Sequence, residues 1–344
     1  MTIDSEPAVP SLLATEPISV RPPRSVGPEI FLGPNGIRAG WRLLIFLVIF
    51  VALGAAVQFT VFRIPAVRGY MQSQPKGLIT PGGQIISEGL TVLCLLISAF
   101  IMTKIEKRSF ADYGLPLRES FGKRFWQGVP LGLAMLSLLM ALIAIFHGFS
   151  LGGFAITGSG AVKYGALYGL GFILVGIFEE FSFRGYLQST LASGLGFWPA
   201  AIVLATLFGA IHLGNPGEAK YGAIMAGLFG LVAAFSLRRT GTIWFAIGMH
   251  ASWDWGETYL YSVPDSGLLA HWTPSEFVLS WAHLADRRIS WAGRQRIRVS
   301  RFADLGSGHS PSVSVEASVL LISVAGILFP TRRIYDWSIS SRIG

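Results

Sequence analysis

The residues best suited to chemistry in this sequence are two adjacent glutamates and an arginine inside one long apolar stretch. The stretch, residues 165–189, opens with 14 uncharged residues and then reaches Glu179, Glu180 and Arg184. No loop signal intervenes, so we expect all three charges on one helix. Glu180 and Arg184 are four residues apart and share a helix face, which lets them pair. Glu179 is rotated by about 100° from Glu180 and therefore needs a partner elsewhere.

Two histidines in later apolar stretches are candidates for that partner. His212 ends the segment FGAIH, and His250 opens the segment HASWD, in which Asp254 follows one helical turn later on the same face. A buried glutamate can act as a general base, and an imidazole can hold a water, bind a metal ion or stabilise an oxyanion. Asp254 could in turn orient His250. These residue types on three apolar helices are what a buried hydrolytic site requires.

Each of these residues also has a purely structural interpretation. An ion pair between Glu180 and Arg184 can stabilise a helix bundle without taking part in catalysis, and a histidine such as His212 is often a hydrogen-bonded core residue. Phe208, one turn before His212, is expected to pack in the core. Glu88, in an earlier apolar segment, shows no partner in the sequence and is interpreted as structural. The joint occurrence of three motifs in order is what favours a functional site.

The composition indicates the class of protein that must position these residues. Of the 344 residues, 52% are hydrophobic and 13% are charged, and the mean hydropathy is +0.55. A typical soluble domain has about a quarter of its residues charged. Residues 125–162 contain no Asp, Glu, Lys or Arg, and about 20 apolar residues suffice for a helix to cross a bilayer. The sequence therefore predicts an all-α fold, a polytopic transmembrane helical bundle in contact with lipid.

The apolar segments predict about eight spans. They lie at about residues 41–62, 85–103, 126–149, 164–188, 198–213, 221–237, 242–261 and 315–329. The arginines before the first span and the Lys- and Arg-rich loop KIEKRSFADYGLPLRESFGKR after the second both indicate cytoplasmic segments. We therefore expect an integral, multi-pass membrane protein with a cytoplasmic N-terminus, in a bacterial plasma membrane.

The chain divides into five predicted regions. They are a disordered cytoplasmic tail (1–38), N-terminal helices with a basic loop (39–125), a catalytic core (126–262), an atypical loop (263–314) and a last helix with its tail (315–344). The atypical loop is arginine-rich between residues 271 and 311 and resembles neither the flanking spans nor a compact domain. An insertion or a reading-frame artefact would explain its composition.

Several classes of function are disfavoured. The net charge of +8 is attributed to cytoplasmic loops, so no nucleic-acid partner is expected. The single cysteine, Cys94, excludes a disulfide framework and a multi-cysteine metal site. The sequence lacks an HExxH motif, and Ser159 has no matching histidine arrangement, which disfavours zincin-type and serine mechanisms. A transporter should show broken helices or inverted repeats, and neither is clear.

The motifs EEFSFR, FGAIH and HASWD, in this order, resemble the CPBP family of intramembrane proteases. This family includes the type II CAAX prenyl endopeptidases and bacteriocin-processing or immunity proteins (Abi). Its pattern is EExxxR, FxxxH and HxxxN/D, each on its own transmembrane helix. The resemblance covers about residues 109–262, and the loop FADYGLPL is similar to the segment that commonly precedes the core in this family.

The resemblance implies an endopeptidase that cuts a membrane-associated substrate, CAAX-type prenylated or bacteriocin-like, near its C-terminus. Glu179 is expected to activate the water, with His212 as its partner, while Glu180 and Arg184 form a supporting ion pair. A non-catalytic membrane immunity or scaffold protein is the alternative, because it would keep this fold while tolerating the loss of Glu179. A transporter is the remaining alternative.

The third motif leaves the question of a metal open. The resemblance implies that His250 and Asp254 complete the site and stabilise the oxyanion. Asp254 stands where many members have Asn, and the added negative charge could favour a metal. Members are often called metalloproteases, although a metal-free glutamate mechanism is also proposed for them. If one divalent ion such as zinc is bound, its expected ligands are His212, His250 and Glu179; two histidines and two acids suffice for either account.

Overall fold

The structure, a computed structural model, describes residues 31–279 apart from residues 34–35, 76–77, 147–148, 155, 216–219, 267–268, 272 and 274. The predicted last span at 315–329, almost all of the N-terminal tail and most of the arginine-rich loop lie outside these residues. The five-region division of the chain and the count of about eight spans therefore stay predictions.

Helices form the architecture of the part that the structure describes. In chain order they are α1 (Ala39–Thr60), α2 (Pro65–Ser73), α3 (Pro81–Glu106), α4 (Lys123–Ile145), α5 (Gly158–Glu180), α6 (Gln188–Leu195), α7 (Phe197–His212), α8 (Lys220–Thr240) and α9 (Trp244–Trp255). Two π-helical segments continue helices without a break: Phe181–Leu187 joins α5 to α6, and Gly256–Leu260 extends α9. Short 3₁₀ turns occur at Val61–Arg63, Phe110–Tyr113 and Leu117–Glu119.

Five helical stretches of the described residues are long and apolar enough to cross a membrane. They are Ala39–Arg63, Pro81–Glu106, Lys123–Ile145, Gly158–Leu195 and Lys220–Thr240. Helix α7 is also apolar but has 16 residues, and α9 has 12. These two shorter helices carry the FGAIH and HASWD motifs. The predicted all-α membrane-type bundle is confirmed.

The longest helix carries the adjacent glutamates near its middle. Helix α5, the π segment and α6 form one continuous helical stretch of 38 residues, which is longer than the predicted span at 164–188. Glu179 and Glu180 are the last residues of α5, and Arg184 lies in the π segment. π-Helical turns in α-helices are often found at functional sites. The π turn rotates the side chains that follow Glu180 away from the positions they would have in a regular α-helix.

Helices α4 and α9 approach closely because glycines lie at their contact. A Cβ atom built on Gly248 would lie 2.1 Å from the carbonyl oxygen of Phe125, and one built on Gly128 would lie 2.1 Å from that of Phe245. Distances this short leave room only for a hydrogen atom. Small residues are the usual means by which membrane helices come close together. This contact fixes the helix that carries the HASWD motif.

Gly248→Ala is expected to destabilise the bundle. The added methyl group would meet the backbone of α4, which can move only if the two helices separate, and overpacking of this kind costs about 1–3 kcal/mol. The measurement is the midpoint of thermal unfolding in detergent micelles. Gly54→Ala is the matched control, because nothing lies within 4 Å of a Cβ built at Gly54. Equal midpoints for the two variants would contradict this account.

Short strand pairs also occur, and the sequence did not predict them. They are the antiparallel pairs β1 (Leu32–Gly33) with β2 (Gly36–Ile37) and β4 (Phe149–Phe154) with β6 (Ser275–Leu279), and the parallel pair β3 (Leu78–Ile79) with β5 (Leu269–Ala270). The predicted third span at 126–149 is corrected, because α4 ends at Ile145 and the chain is extended from Phe149. Strand β6 lies in the predicted atypical loop (263–314). Its sequence, SEFVL, contains aromatic and β-branched residues, which favour strands.

The segment between α3 and α4 holds the start of α9. Gly114 ends the turn Phe110–Tyr113 with a φ of 77°, which glycine adopts without strain. The carbonyl oxygen of Gly114 accepts a hydrogen bond from the amide of Ile243 at 2.8 Å. The indole nitrogen of Trp244 donates to the carbonyl oxygen of Pro116 at 3.1 Å. The loop FADYGLPL therefore positions the helix that carries His250.

Candidate active site

Glu180 is the centre of a buried polar cluster. Its side chain is 0% exposed, and its Oε1 atom lies 2.7 Å from His250 Nδ1 and 3.1 Å from Arg184 Nη1. Since an ionised carboxylate only accepts hydrogen bonds, His250 donates from Nδ1 and Arg184 donates from Nη1. The structure thus brings the EEFSFR and HASWD motifs together at a single oxygen atom, and the pair of Glu180 with Arg184 is formed.

The second ring nitrogen of His250 faces two further carboxylates. Its Nε2 lies 3.6 Å from Glu179 Oε2 and 3.4 Å from Asp254 Oδ2. If all the acids were ionised and the ring neutral, a lone pair on Nε2 would face two negative oxygens in a buried place, which is costly. At least one proton must therefore be shared among His250, Glu179 and Asp254. A proton held between such groups is what acid–base chemistry requires.

His212 lies at the end of α7 with its tautomer fixed by its own helix. Its Nδ1 lies 2.8 Å from the carbonyl oxygen of Phe208, and the two rings are 4.6 Å apart between centroids. Because a carbonyl oxygen only accepts, Nδ1 carries the hydrogen, and Nε2 of the neutral ring holds the lone pair. Such a lone pair can accept a hydrogen bond from water or bind a metal ion.

The ring of Phe208 packs against residues of all three motifs. The guanidinium carbon of Arg184 lies 4.3 Å from the ring centroid, in cation–π geometry. The imidazole of His250 lies edge-on at 6.4 Å, and that of His212 is in direct contact. A buried aromatic face favours the charged guanidinium. Phe208 is buried as the sequence predicts, and its neighbours are the polar residues of the cluster.

Helix α8 also holds Arg184. The Nε atom of Arg184 donates to the carbonyl oxygen of Gly230 at 3.4 Å. A Cβ atom built on Gly230 would lie 2.3 Å from Arg184 Nη2, so α8 must present a residue without a side chain at this point. Sequence reasoning did not single out Gly230, because the chain has 41 glycines and only the packing of α8 against the π segment distinguishes this one.

Two acidic residues outside the predicted site contribute to its electrostatics. Glu88 lies close enough to Glu179 for the two carboxylates to repel each other, a proximity that the sequence did not predict. Asp265 follows the π extension of α9 and accepts a hydrogen bond from Thr258 Oγ1 at 3.3 Å. Burial and the nearby Glu179 raise the pKa of Asp265 to about 6. The sequence singled out Glu88 and interpreted it as structural, although an ionisable residue in an apolar span is a functional candidate by default.

Three buried atoms of the cluster have hydrogen-bonding capacity that no described residue uses. They are Glu179 Oε2, Glu180 Oε2 and Arg184 Nη2. Buried polar atoms in folded proteins nearly always have a partner. Water or a polar group of a bound substrate is the partner that two carboxylate oxygens and one guanidinium nitrogen would accept.

The residues in their present arrangement do not form a metal-binding group. Within the part of the chain that the structure describes, no three His, Cys, Asp or Glu side chains are grouped so that they could hold a metal ion. Both histidines use Nδ1 in protein hydrogen bonds, to Glu180 and to the carbonyl of Phe208. The Nε2 atoms are those that a metal ion would use when Nδ1 is held in this way, so the expected ligand set of His212, His250 and Glu179 stays a prediction, and no catalytic step is routed through a metal.

Comparison with known proteins bears on the same segment. Residues 165–256 match a family model described as "Type II CAAX prenyl endopeptidase Rce1-like". The match contains all the residues of the EEFSFR, FGAIH and HASWD motifs, and the family is one of proteases. No curated protein matches the chain. Together with the five long apolar helices, the match supports an integral membrane protein. The resemblance that the three motifs indicate is confirmed over residues 165–256, which match the Rce1-like model of type II CAAX prenyl endopeptidases.

Proposed function

We propose that this protein is an intramembrane endopeptidase that hydrolyses a peptide bond with an activated water. The observation that carries the proposal is the position of Glu180 Oε1, which accepts hydrogen bonds from both Arg184 and His250. This bonding fixes His250 beside Glu179 and leaves Glu179 to act on water. The family match over residues 165–256 supports the same class of reaction.

Glu179 acts as the general base. Its side chain is 24% exposed whereas that of Glu180 is 0% exposed, and among the described residues it forms no ion pair with a lysine or an arginine. An acid that reaches water and has only the titratable imidazole of His250, at 3.6 Å, as its cationic neighbour can take up a proton and return it. The lone pair of His212 Nε2 accepts a hydrogen bond from the same water and orients it. The hydroxide formed adds to the scissile carbonyl carbon.

His250 and Asp254 act on the tetrahedral intermediate. With the shared proton on Nε2, the imidazolium of His250 donates a hydrogen bond to the oxyanion, while Glu180 holds its Nδ1 and Asp254 balances its charge. Glu179 then gives the proton that it took from water to the leaving nitrogen, and the C–N bond breaks. The products are a carboxylic acid and an amine, so water is the only co-reactant.

The substrate is a membrane-associated protein or peptide that is cut near its C-terminus. The description of the matched family names CAAX prenyl endopeptidases, which favours a prenylated CAAX end over a bacteriocin-like peptide. Glu179 lies near the middle of an apolar helical stretch of 38 residues, which suits a substrate that is held at the membrane. We expect the N-terminus on the cytoplasmic side of the membrane, as the distribution of Lys and Arg predicts, and we propose that this membrane is a bacterial plasma membrane.

The experiment that tests the function is cleavage of a fluorogenic farnesylated CAAX peptide by the purified protein, with and without a strong chelator. Cleavage that is lost in Glu179→Ala supports the peptidase. Loss of cleavage in the chelator, with recovery on adding zinc, would show that a metal takes part. Absence of cleavage of this peptide and of a library of membrane peptides would overturn the proposal and favour the immunity or scaffold alternative.

Gly230→Ala is expected to reduce cleavage about tenfold and to lower the thermal unfolding midpoint less than Arg184→Met does, because the ion pair with Glu180 is displaced rather than removed. The methyl group would displace the flexible end of Arg184, and small displacements of positioning groups commonly cost one to two orders of magnitude in rate, about 10- to 100-fold. Gly227→Ala is the control on the same helix, because a Cβ there meets the carbonyl oxygen of Ala205, at 3.2 Å, rather than Arg184. Equal kcat values for the two variants would be evidence against this role of Gly230.

A further inference from the structure

A second buried polar network lies outside the candidate active site and links three helices. Arg42, on α1, places Nη1 2.8 Å from Oε2 of Glu106, on α3, and the two side chains are only 12% and 3% exposed. The other oxygen of Glu106 accepts a hydrogen bond from the hydroxyl of Tyr186 at 2.6 Å. Arg42 Nη2 also donates to the hydroxyl of Ser193, on α6. A buried carboxylate thus has both oxygens occupied, one of them by a cation.

Tyr186 connects this network to the candidate active site through the π segment. It lies two residues after Arg184 in the same π-helical stretch, Phe181–Leu187. Its fully buried ring stacks on Phe46 of α1 with a centroid distance of 4.0 Å, and it lies 5.0 Å from the ring of Tyr113. Tyr186 therefore fixes one side of the stretch, while Arg184 projects from it toward Glu180 and His250.

We propose that Arg42, Glu106 and Tyr186 are positioning residues for the candidate active site: they hold the π segment in the geometry that aims Arg184 at Glu180 and so keeps Glu180 bonded to His250. This inference rests on the proposed peptidase function. Arg42 and Glu106 lie outside the matched segment 165–256. The proposal therefore makes helices α1 and α3 necessary for the geometry of the candidate active site.

The physical reason is that a π turn does not hold its shape alone. Its backbone hydrogen bonding is less favourable than that of an α-helix, and such turns are rare except where the surroundings stabilise them. A hydrogen bond to an ionised carboxylate is roughly twice as strong as one between neutral groups. The bond from Tyr186 to Glu106, with the charge of Glu106 balanced by Arg42, supplies that stabilisation at the turn itself.

The first test compares Tyr186→Phe with Tyr168→Phe. Tyr168 is a matched control, because it is a fully buried tyrosine in the N-terminal half of the same helical stretch, eleven residues before Glu179, and its hydroxyl lies 2.9 Å from the carbonyl oxygen of Ile79. We expect Tyr186→Phe to lower kcat by about 10- to 100-fold with KM unchanged, since only the geometry of the catalytic groups is altered. Tyr168→Phe should keep both constants. Equal losses in the two variants would overturn the proposal.

The second test needs no turnover. The chain has six histidines, and the imidazole ¹⁵N signals of His250 can be assigned as those missing in His250→Gln. Tyr186→Phe should shift the Nδ1 signal of His250, which reports its bond to Glu180, and Tyr168→Phe should not. If the wild type cleaves no peptide and the signal still shifts in Tyr186→Phe, the peptidase fails but the positioning network stands. An unmoved signal in Tyr186→Phe would overturn the network.

A double-mutant cycle identifies the carboxylate through which Tyr186 acts. Glu106→Gln keeps the shape of the side chain but removes its charge, so it should lower kcat to a similar extent as Tyr186→Phe. Because Glu106→Gln weakens the same bond that Tyr186→Phe removes, the variant with both changes should lose little more than Tyr186→Phe alone. Losses in kcat that multiply would show that the two residues act independently, which the proposal forbids.

Discussion

Glu179→Gln is expected to lower kcat for peptide cleavage by at least about 100-fold, with a loss of up to about 10,000-fold, which is the range that general acid–base catalysis contributes. The amide has the shape of the carboxylate and can still accept a hydrogen bond from water, but it cannot take the proton. KM should change little, because the substitution leaves the volume of the site intact. His212→Ala should also abolish cleavage, since the water then loses its second partner.

The control for this prediction is Glu257→Gln. Glu257 accepts a hydrogen bond from the indole of Trp253 at 3.0 Å and lies just after α9, so its substitution removes a partly buried carboxylate that has no assigned step. Its kcat should stay near that of the wild type, and all three variants should insert into the membrane. Cleavage by Glu179→Gln at a rate close to that of the wild type would end the assignment of Glu179 as the base.

The sequence was sufficient for those features of the candidate site that depend on local periodicity. Residues four apart on a helix share a face, so their spacing predicted that Glu180 pairs with Arg184 and that His250 pairs with Asp254. Both pairs occur in the structure. The order of the three motifs also predicted that Glu179 would face a histidine. Spacing left both histidines open and the family resemblance named His212 as the partner, whereas the histidine that lies beside Glu179 in the structure is His250, through its Nε2.

The features that the sequence did not predict depend on contacts between distant segments. The sequence predicts the π segment at Phe181–Leu187 as part of one continuous apolar helix, because the π geometry is set by what packs around it. The strand at Ser275–Leu279 exists through its pairing with Phe149–Phe154. The roles of Gly230 and Glu106 follow from the side chains that they meet on other helices, and a one-dimensional pattern carries no information about those neighbours.

Arg184→Met is expected to lower the free energy of unfolding by about 3–5 kcal/mol, which is the usual result of removing one partner of a buried ion pair. Glu180 would remain as a charge with 0% exposure and without its cation. Methionine fills a similar volume and keeps contact with the ring of Phe208, so the loss can be assigned to charge rather than to a cavity. The measurement is an unfolding titration of the protein in mixed detergent micelles.

The decisive comparison is with the double variant Glu180→Gln/Arg184→Met. Replacing both charges removes the unpaired carboxylate, so most of the lost stability should return, because a buried ion pair replaced by neutral groups is often close to neutral in stability. The amide oxygen that Glu180→Gln introduces could still accept the hydrogen bond from His250 Nδ1. Cleavage should nevertheless stay low. The imidazolium of His250 would have no negative charge at position 180 to orient it, and the π turn would no longer be fixed by Arg184. Stability that returns without activity would separate the two roles of the pair, and a double variant as unstable as Arg184→Met would contradict the assignment of the loss to an uncompensated charge.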